Sequence, residues 1–208
     1  MKTAINRICV YDLETGHKGV DKDNPITEIA IVSIDSHKLE IVDEYETLVA
    51  PYKDEDHYDE DTAIYTGISL NDIKERGRDS KQVAADIKSF AKKQTVSSKK
   101  PILAGHNIFG FDNPIFEFFL KDHKSKISIF NAEYGIDTQM WAYLRWLSAE
   151  NYQLGTSCAK ADITLRNAHR AMIDARANAK LVIDMLKSLR GAGKSGADEK
   201  RSRETFEI

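Results

Sequence analysis

Four carboxylates and one histidine occur in short motifs that are spread over most of the chain. They are Asp12 and Glu14 in VYDLETG, Asp112 in GHNIFGFD, and His169 and Asp174 in NAHRAMID. Carboxylate oxygens are hard ligands that select Mg²⁺ or Mn²⁺ over zinc. Three or four carboxylates in one place would repel one another unless divalent cations neutralised them. The set therefore predicts a site for divalent metal ions, provided that the fold brings its members together.

The first motif places two acids at the end of a strand. Asp12 and Glu14 are two residues apart and follow the apolar run ICVY, so on a strand their side chains leave the same face. The carboxyl end of a strand is where ligand sites of α/β sheets lie. For this motif alone, a solvated pair of strand-end acids stays open as an alternative.

The second acid, Asp112, stands between a predicted strand and a predicted helix that has Pro114 near its start. A helix N-cap is the alternative interpretation. A cap does not explain the small and polar residues before it, which are Gly105, His106, Asn107 and Gly110. We therefore favour a metal ligand at this position.

The third motif separates a histidine from an acid. His169 and Asp174 are five residues apart, which on a helix is a rotation of about 500° and puts them on different faces. The spacing predicts that His169 lies in a loop and that Asp174 lies in the first turns of the helix. This suits a movable base beside a fixed ligand, whereas an exposed histidine and a surface acid are the alternative for the pair alone. A stripe at four-residue spacing predicts the buried helix face: Ile173, Ala177, Leu181 and Met185.

The hydrophobic pattern indicates the elements that position these residues. It predicts strands at 8–11, 26–34, 39–50, 101–104 and 127–130, and helices at 81–93, 114–120, 138–147 and 169–190. The short polar turn at 35–38 predicts an antiparallel hairpin. Strands first and alternating units afterwards favour an α/β fold with a mixed five-stranded sheet and helices on both faces.

Composition limits the classes of protein. The chain has 208 residues, of which 41% are hydrophobic, enough for one core, so we predict a single domain at 1–190 and a disordered tail at 191–208. A net charge of -3 excludes a protein that binds nucleic acid through a broad basic surface.

Cys9 and Cys158 lie outside any metal-binding motif, and we expect both to be buried, reduced thiols. With no predicted signal peptide or membrane span, we expect no membrane contact and a cytoplasmic location.

A pair of divalent ions about 4 Å apart is suited to phosphodiester hydrolysis, because one activates water and the other stabilises the leaving oxygen. His169 could take the proton from that water near neutral pH.

With these motifs the chain resembles the DnaQ-like 3′-to-5′ exonucleases of the DEDDh group, which include polymerase proofreading subunits, RNase T and oligoribonuclease. The resemblance covers residues 7–189 and includes the segments TEIA at 27–30 and TGIS at 66–69. It implies a ribonuclease-H-like fold and two Mg²⁺ or Mn²⁺ ions. The metal ligands it implies are Asp12, Glu14, Asp112 and Asp174, with His169 as general base. The residues it implies around the terminal nucleotide are Leu13, Thr15, Gly16, His106, Asn107 and Phe111. We interpret Asp137 as the cap of the next helix.

The expected reaction is release of nucleoside 5′-monophosphates from the 3′ end of single-stranded or frayed DNA. RNA ends or short oligoribonucleotides are the alternative substrate, because no motif here fixes recognition of a 2′-hydroxyl. A catalytically silent scaffold that binds nucleic acid or a polymerase is a second alternative, disfavoured because all five reactive residues are present. A polymerase or another replication protein stays open as a partner.

Overall fold

The computed structural model describes residues 5–195, with the side chains of 132, 133 and 192–195 left aside. Its five strands are β1 (Arg7–Thr15), β2 (Ile26–Asp35), β3 (Glu40–Leu48), β4 (Ile102–Gly105) and β5 (Asn131–Asp137). They form one sheet in the order β3-β2-β1-β4-β5. The pairs β1/β2 and β2/β3 are antiparallel, whereas β1/β4 and β4/β5 are parallel. The predicted mixed five-stranded sheet and its hairpin are confirmed.

Seven helices connect and cover the strands of the described chain. They are α1 (Glu60–Thr66), α2 (Leu70–Arg76), α3 (Ser80–Lys93), α4 (Asp112–Asp122), α5 (Thr138–Arg145), α6 (Leu154–Lys160) and α7 (Ala171–Ser195). The N-cap of α3 is Asp79, whose carboxylate accepts hydrogen bonds from two amides of the first turn. The apolar spacing of Val83, Ile87 and Phe90 then turns one face of α3 into the core.

The strand predicted at 127–130 is wrong, because Ile127–Ile129 is a 3₁₀ helix and the fifth strand follows at Asn131–Asp137. Phe130 is fully buried, and its ring lies 6.2 Å from that of Phe116. Ile127 and Ile129 of the short helix pack against the core while only partly buried, and Phe130 directly after the helix enters it. The following segment, polar in its first half, pairs with β4 at the edge of the sheet.

Two short helices, α1 and α6, had no counterpart in the sequence prediction, whereas α2 follows the TGIS segment at 66–69, which the resemblance implied to be the loop before a helix. The start of α2 had a recognisable signal, because Ser69 and Asp72 form a capping box. The last helix, α7, extends five residues past the predicted end at 190. Residues 191–195 thus belong to α7, and the rest of the predicted tail, 196–208, lies outside the described residues.

Two apolar clusters lie on opposite faces of the sheet, because the side chains of β1 alternate between them. Cys9, Tyr11 and Leu13 face the cluster formed with α3 and α4. Ile8 and Val10 face the cluster formed with α7. Helices on both faces are therefore confirmed. Both cysteines are buried and unpaired, as predicted. Among the described residues, no helix is at once long and apolar enough to cross a bilayer.

The face of α7 that packs on the sheet differs from the predicted stripe. It consists of Ala171, Met172, Ala175, Ala179 and Val182. Ala177, Leu181 and Met185 are also buried, because α5 and α6 cover another side of the helix. A helix covered on two sides has no single apolar stripe for the four-residue spacing to identify.

Candidate active site

Strand alternation directs the first two acids toward α7. Asp12 and Glu14 continue the face of β1 that carries Ile8 and Val10. Glu14 is buried, and Asp12 is partly exposed. The pairing with β2 shifts register directly after Glu14, so the two acids stand where the regular strand ends. Asp12 and Glu14 thus share one face of β1 and lie at its carboxyl end, as the sequence predicted.

Helix α7 brings a third acid to this point. Carboxylate oxygens of Asp12, Glu14 and Asp174 lie within 4.8 Å of one another, and no other such group of three occurs among residues 5–195. Oδ2 of Asp174 accepts a hydrogen bond of 2.8 Å from the amide of His169. Its Oδ1 is buried and has no hydrogen-bond partner. A buried carboxylate oxygen without a donor is costly, and a cation between the three acids would satisfy it.

The fourth acid, Asp112, is the first residue of α4 and is buried. Phe111 occupies the N-cap position, so the capping alternative is not what the structure has. The backbone amides of Asp112 itself and of Leu13, the residue between the two strand acids, partly offset the rise that burial causes in the pKa of Asp112. Asp112 lies outside the group of three, but of all neighbouring charges it raises the pKa of Asp12 most.

Without cations this cluster holds its protons tightly. Burial, and then the charges of Asp174 and Glu28, raise the pKa of Glu14 to about 8. Burial raises the pKa of Asp112 to about 8 as well, and the pKa of Asp12 lies well above its ordinary value for the same reason. Carboxyl groups that surround one another resist ionisation, and a divalent cation bound among them stabilises their ionised form. The residues present therefore fit a divalent metal site.

His169 lies in the loop directly before α7, as the spacing predicted. Its backbone is left-handed, with φ at 70°, and its amide binds Asp174. The imidazole packs against Tyr65 of α1 with 3.9 Å between ring centroids. Burial and the charges of Glu14 and Asp174 raise the pKa of Tyr65. Tyr65 was not among the residues predicted for the site, and α1, which carries it, was not predicted either.

Comparison with known proteins decides the family. Residues 9–182 match the model of the RNase T family, described as exonuclease. The chain belongs to this exonuclease family. It is 29% identical over 193 residues to the PolC-type DNA polymerase III of Bacillus subtilis strain 168, covering 91% of this chain and 12% of the polymerase. A PolC-type polymerase of Caldanaerobacter subterraneus is 28% identical over 191 residues, again with 91% and 12% covered. The chain thus spans a small part of the curated relatives it matches.

Solved exonuclease structures share the fold. Exonuclease I of E. coli in complex with a dT13 oligonucleotide superposes with a TM-score of 0.72 at 17% identity, over 91% of this chain and 43% of that one. The nuclease domain of 3′hExo, described as a DEDDh family member bound to rAMP, superposes with a TM-score of 0.73 at 17% identity, over 90% and 95%. The predicted ribonuclease-H-like fold is confirmed by these structures, and the family match confirms the resemblance to exonucleases.

Three of the residues expected at the terminal nucleotide lie between or directly after the strand acids. The Leu13 side chain is buried in the core, and Thr15 donates a hydrogen bond to the carbonyl of His17. At Gly16 an added Cβ would lie 2.3 Å from the carbonyl oxygen of His57, so no side chain fits there. Thr15 and Gly16 line a cavity of about 170 Å³ whose other walls include Tyr58 and Ile68. The cavity is large enough for part of a nucleoside, and the nucleotide contacts stay a prediction.

The other three lie in the loop after β4. Asn107 has a left-handed backbone with φ at 62° and donates its amide to Asp137, which also caps α5 as predicted. Phe111 is partly buried against the core. The ring nitrogens of His106 lie 2.9 Å from Thr138 Oγ1 and 2.8 Å from the carbonyl of Tyr152. Its nucleotide contact also stays a prediction, but both nitrogens are occupied within the protein.

The raised pKa values make a prediction about the metal-free protein. Glu14 and Asp112 titrate near 4.5 and 3.8 when unperturbed and at about 8 in the folded chain. The folded state therefore binds these protons more tightly than the unfolded state, and the free energy of unfolding falls as pH rises from about 4.5 to about 8. We expect the melting temperature in EDTA to decrease over this window and Mn²⁺ to restore it most at the alkaline end.

Thermal melts of wild type and Glu14→Gln at about pH 5 and about pH 8 measure this effect. The variant isolates the contribution of Glu14 to the pH dependence of stability from the contributions of other groups. One of these is His106: burial lowers its pKa, so its contribution has the opposite sign. A wild-type curve no steeper than that of Glu14→Gln would contradict the expectation.

Proposed function

We propose that this chain is a metal-dependent 3′-to-5′ exonuclease that releases nucleoside 5′-monophosphates from single-stranded or frayed DNA. The observation that carries the proposal is the unpartnered Oδ1 of Asp174 inside the acid cluster, directly beside the loop of His169. A cation site next to a histidine on a short loop is suited to hydrolysis of a terminal phosphodiester, because it offers both charge stabilisation and a general base.

In this proposal the metal ligands are Asp12, Glu14, Asp112 and Asp174. Mg²⁺ or Mn²⁺ ions bound there supply the positive charge that activates a water and stabilises the leaving 3′ oxygen. The imidazole of His169 takes the proton of the attacking water, since its amide and not its ring is engaged with Asp174. The cavity beside Thr15 and Gly16 receives part of the terminal nucleoside.

Two similarities support DNA as the substrate. The relatives at 29% and 28% identity are DNA polymerases, and exonuclease I of E. coli was solved with dT13 and dA16 oligonucleotides. The polymerase relatives also support a polymerase or another replication protein as partner. RNA ends are the second candidate, supported by the 3′hExo nuclease domain bound to rAMP.

A gel assay tests the reaction and the substrate together. Single-stranded DNA and RNA of one sequence, labelled at either end, are incubated with Mg²⁺, Mn²⁺ or EDTA. We expect stepwise shortening from the 3′ end of DNA with either metal, none in EDTA, and nucleoside 5′-monophosphate as the product on thin-layer chromatography. Faster shortening of RNA would favour the second candidate. No cleavage of either strand by folded protein would contradict the proposal and favour the binding scaffold.

A further inference from the structure

A fifth acid is buried beside the site and is not among its metal ligands. Glu28 of β2 is only 1% exposed and pairs with Glu14 across the strands. Its Oε1 lies 2.6 Å from Nη2 of Arg170, and its Oε2 lies 3.1 Å from Nε of the same guanidinium. Oε2 also accepts a hydrogen bond of 2.8 Å from the amide of Ala171. One carboxylate therefore holds both the side chain and the following amide of the segment after His169.

This contact fixes the point at which the loop becomes helix. The carbonyl of Arg170 accepts the first helical hydrogen bonds of α7, from Ile173 and Asp174. The amide of Ala171 is one of the orphan donors of a helix start, and Glu28 satisfies it from the neighbouring strand. His169 precedes Arg170, has a left-handed backbone outside any helix or strand, and is held through its amide by Asp174. Its position therefore depends on how firmly Arg170 and Ala171 are held.

Electrostatics alone would not favour an acid here. The charge of Glu28 raises the pKa values of Glu14 and Asp174, so it adds to the repulsion that the cations must overcome. A buried ion pair is also weak evidence for stability, because desolvation offsets its attraction. The ion pair does fix the orientation of the Arg170 side chain, because its guanidinium is held by both oxygens of one carboxylate.

We infer that Glu28 and Arg170 form a clamp that positions His169 over the acid cluster, so that both are positioning residues for turnover. This inference rests on the proposed function. The clamp acts on the backbone on one side of His169, and Asp174 acts on its amide. With both in place, the imidazole lies against Tyr65 at the edge of the site.

The chain supplies a matched control on the same helix. Arg176 of α7 forms an ion pair with both carboxylate oxygens of Glu44 on β3. This pair is more exposed than that of Glu28 and Arg170, and Arg176 lies six residues, about 1.7 helical turns, after Arg170 and away from the loop. Removing it deletes the same type of contact between α7 and the sheet without touching the segment after His169.

The test compares steady-state kinetics of Glu28→Gln, Arg170→Gln, the double variant and Arg176→Gln at saturating Mn²⁺, with Mn²⁺ affinity measured separately by calorimetry. We expect each single change at the clamp to lower kcat by about 100-fold, the cost of a small misplacement of a catalytic group. The double variant should lose no more than the single variants, KM for the oligonucleotide should be unchanged, and Arg176→Gln should retain wild-type kcat.

Epistasis with the base separates positioning from a general structural role. In a His169→Ala background, Arg170→Gln should cause no further loss of kcat, because the group it positions is gone. A further loss as large as in the wild-type background would overturn the inference. Opposite effects of Glu28→Gln and Arg170→Gln on kcat and Mn²⁺ affinity would overturn it too, because they would indicate charge tuning of the metal site.

Two further controls complete the experiment. If thermal melts show that Arg170→Gln is unfolded at the assay temperature, Arg170→Lys gives the same readout, since it keeps the charge and loses the two-pronged contact. A wild-type chain without exonuclease activity would overturn the proposed function and this inference with it. Active wild type with fully active clamp variants would overturn the inference alone.

Discussion

Replacement of Asp12 by asparagine should reduce exonuclease turnover by about 10³-fold or more, while the protein stays folded. Asp12 is the partly exposed member of the group of three acids. Of the neighbouring charges, that of Asp112 raises the pKa of Asp12 most. Loss of a metal ligand removes several kcal/mol of charge stabilisation in the transition state, and each 1.36 kcal/mol is a factor of ten in rate. The measurement is kcat on a 3′-labelled oligonucleotide at saturating Mn²⁺.

Thermal melts make this result specific to a metal ligand. Removing one charge relieves repulsion among the remaining acids, so Asp12→Asn should melt in EDTA at the wild-type temperature or above it. The upward shift that Mn²⁺ causes in wild type should be lost. Asp184→Asn, which removes an acid of α7 paired with Arg145, is the matched control and should keep both activity and the Mn²⁺ shift. A large fall in the melting temperature of Asp12→Asn would instead indicate a structural aspartate.

Replacement of His169 by alanine should lower kcat by about 10²- to 10⁴-fold, the usual contribution of a general base. This residue makes one contact through its backbone and another through its side chain. Its amide binds Oδ2 of Asp174, and alanine keeps that amide. Only the imidazole, which packs on Tyr65, is removed. The affinity for Mn²⁺ should therefore stay at the wild-type value.

Kinetics and calorimetry on the same preparation distinguish a base from a ligand. Equal losses of kcat and Mn²⁺ affinity would show that the ring binds the metal. His37→Ala is a suitable control, because His37 is an exposed histidine in the turn between β2 and β3, away from the acid cluster. It should leave both quantities unchanged.

Residue patterns over a few positions were enough to predict much of the fold and the acids of the candidate site. The two-residue spacing of Asp12 and Glu14 places both on one face of any strand, whatever the rest of the chain does. The five-residue spacing of His169 and Asp174 excludes a shared helical face and so separates loop from helix. These relations depend on backbone geometry over a few residues, and the structure has both.

Elements without a strong local pattern were decided by packing. The run at 127–130 is apolar enough for a strand, but Phe130 is needed in the core beside Phe116, and the polar segment after it completes the sheet. The short helix α1, which carries Glu60 and Asp61 in its first turn, was not predicted from the sequence. Its tertiary role is to place Tyr65 against His169.

The sequence by itself determined which residues are candidates for the chemistry, because metal ligation and proton transfer require particular side chains and those occur in local motifs. The tertiary structure decided how they are held. Glu28 is 142 residues from Arg170, and no spacing rule joins residues so far apart. Their pairing follows from β2 lying beside β1 while α7 packs across both strands. Contacts of this kind are set by the packing of whole elements, and only the folded chain reveals them.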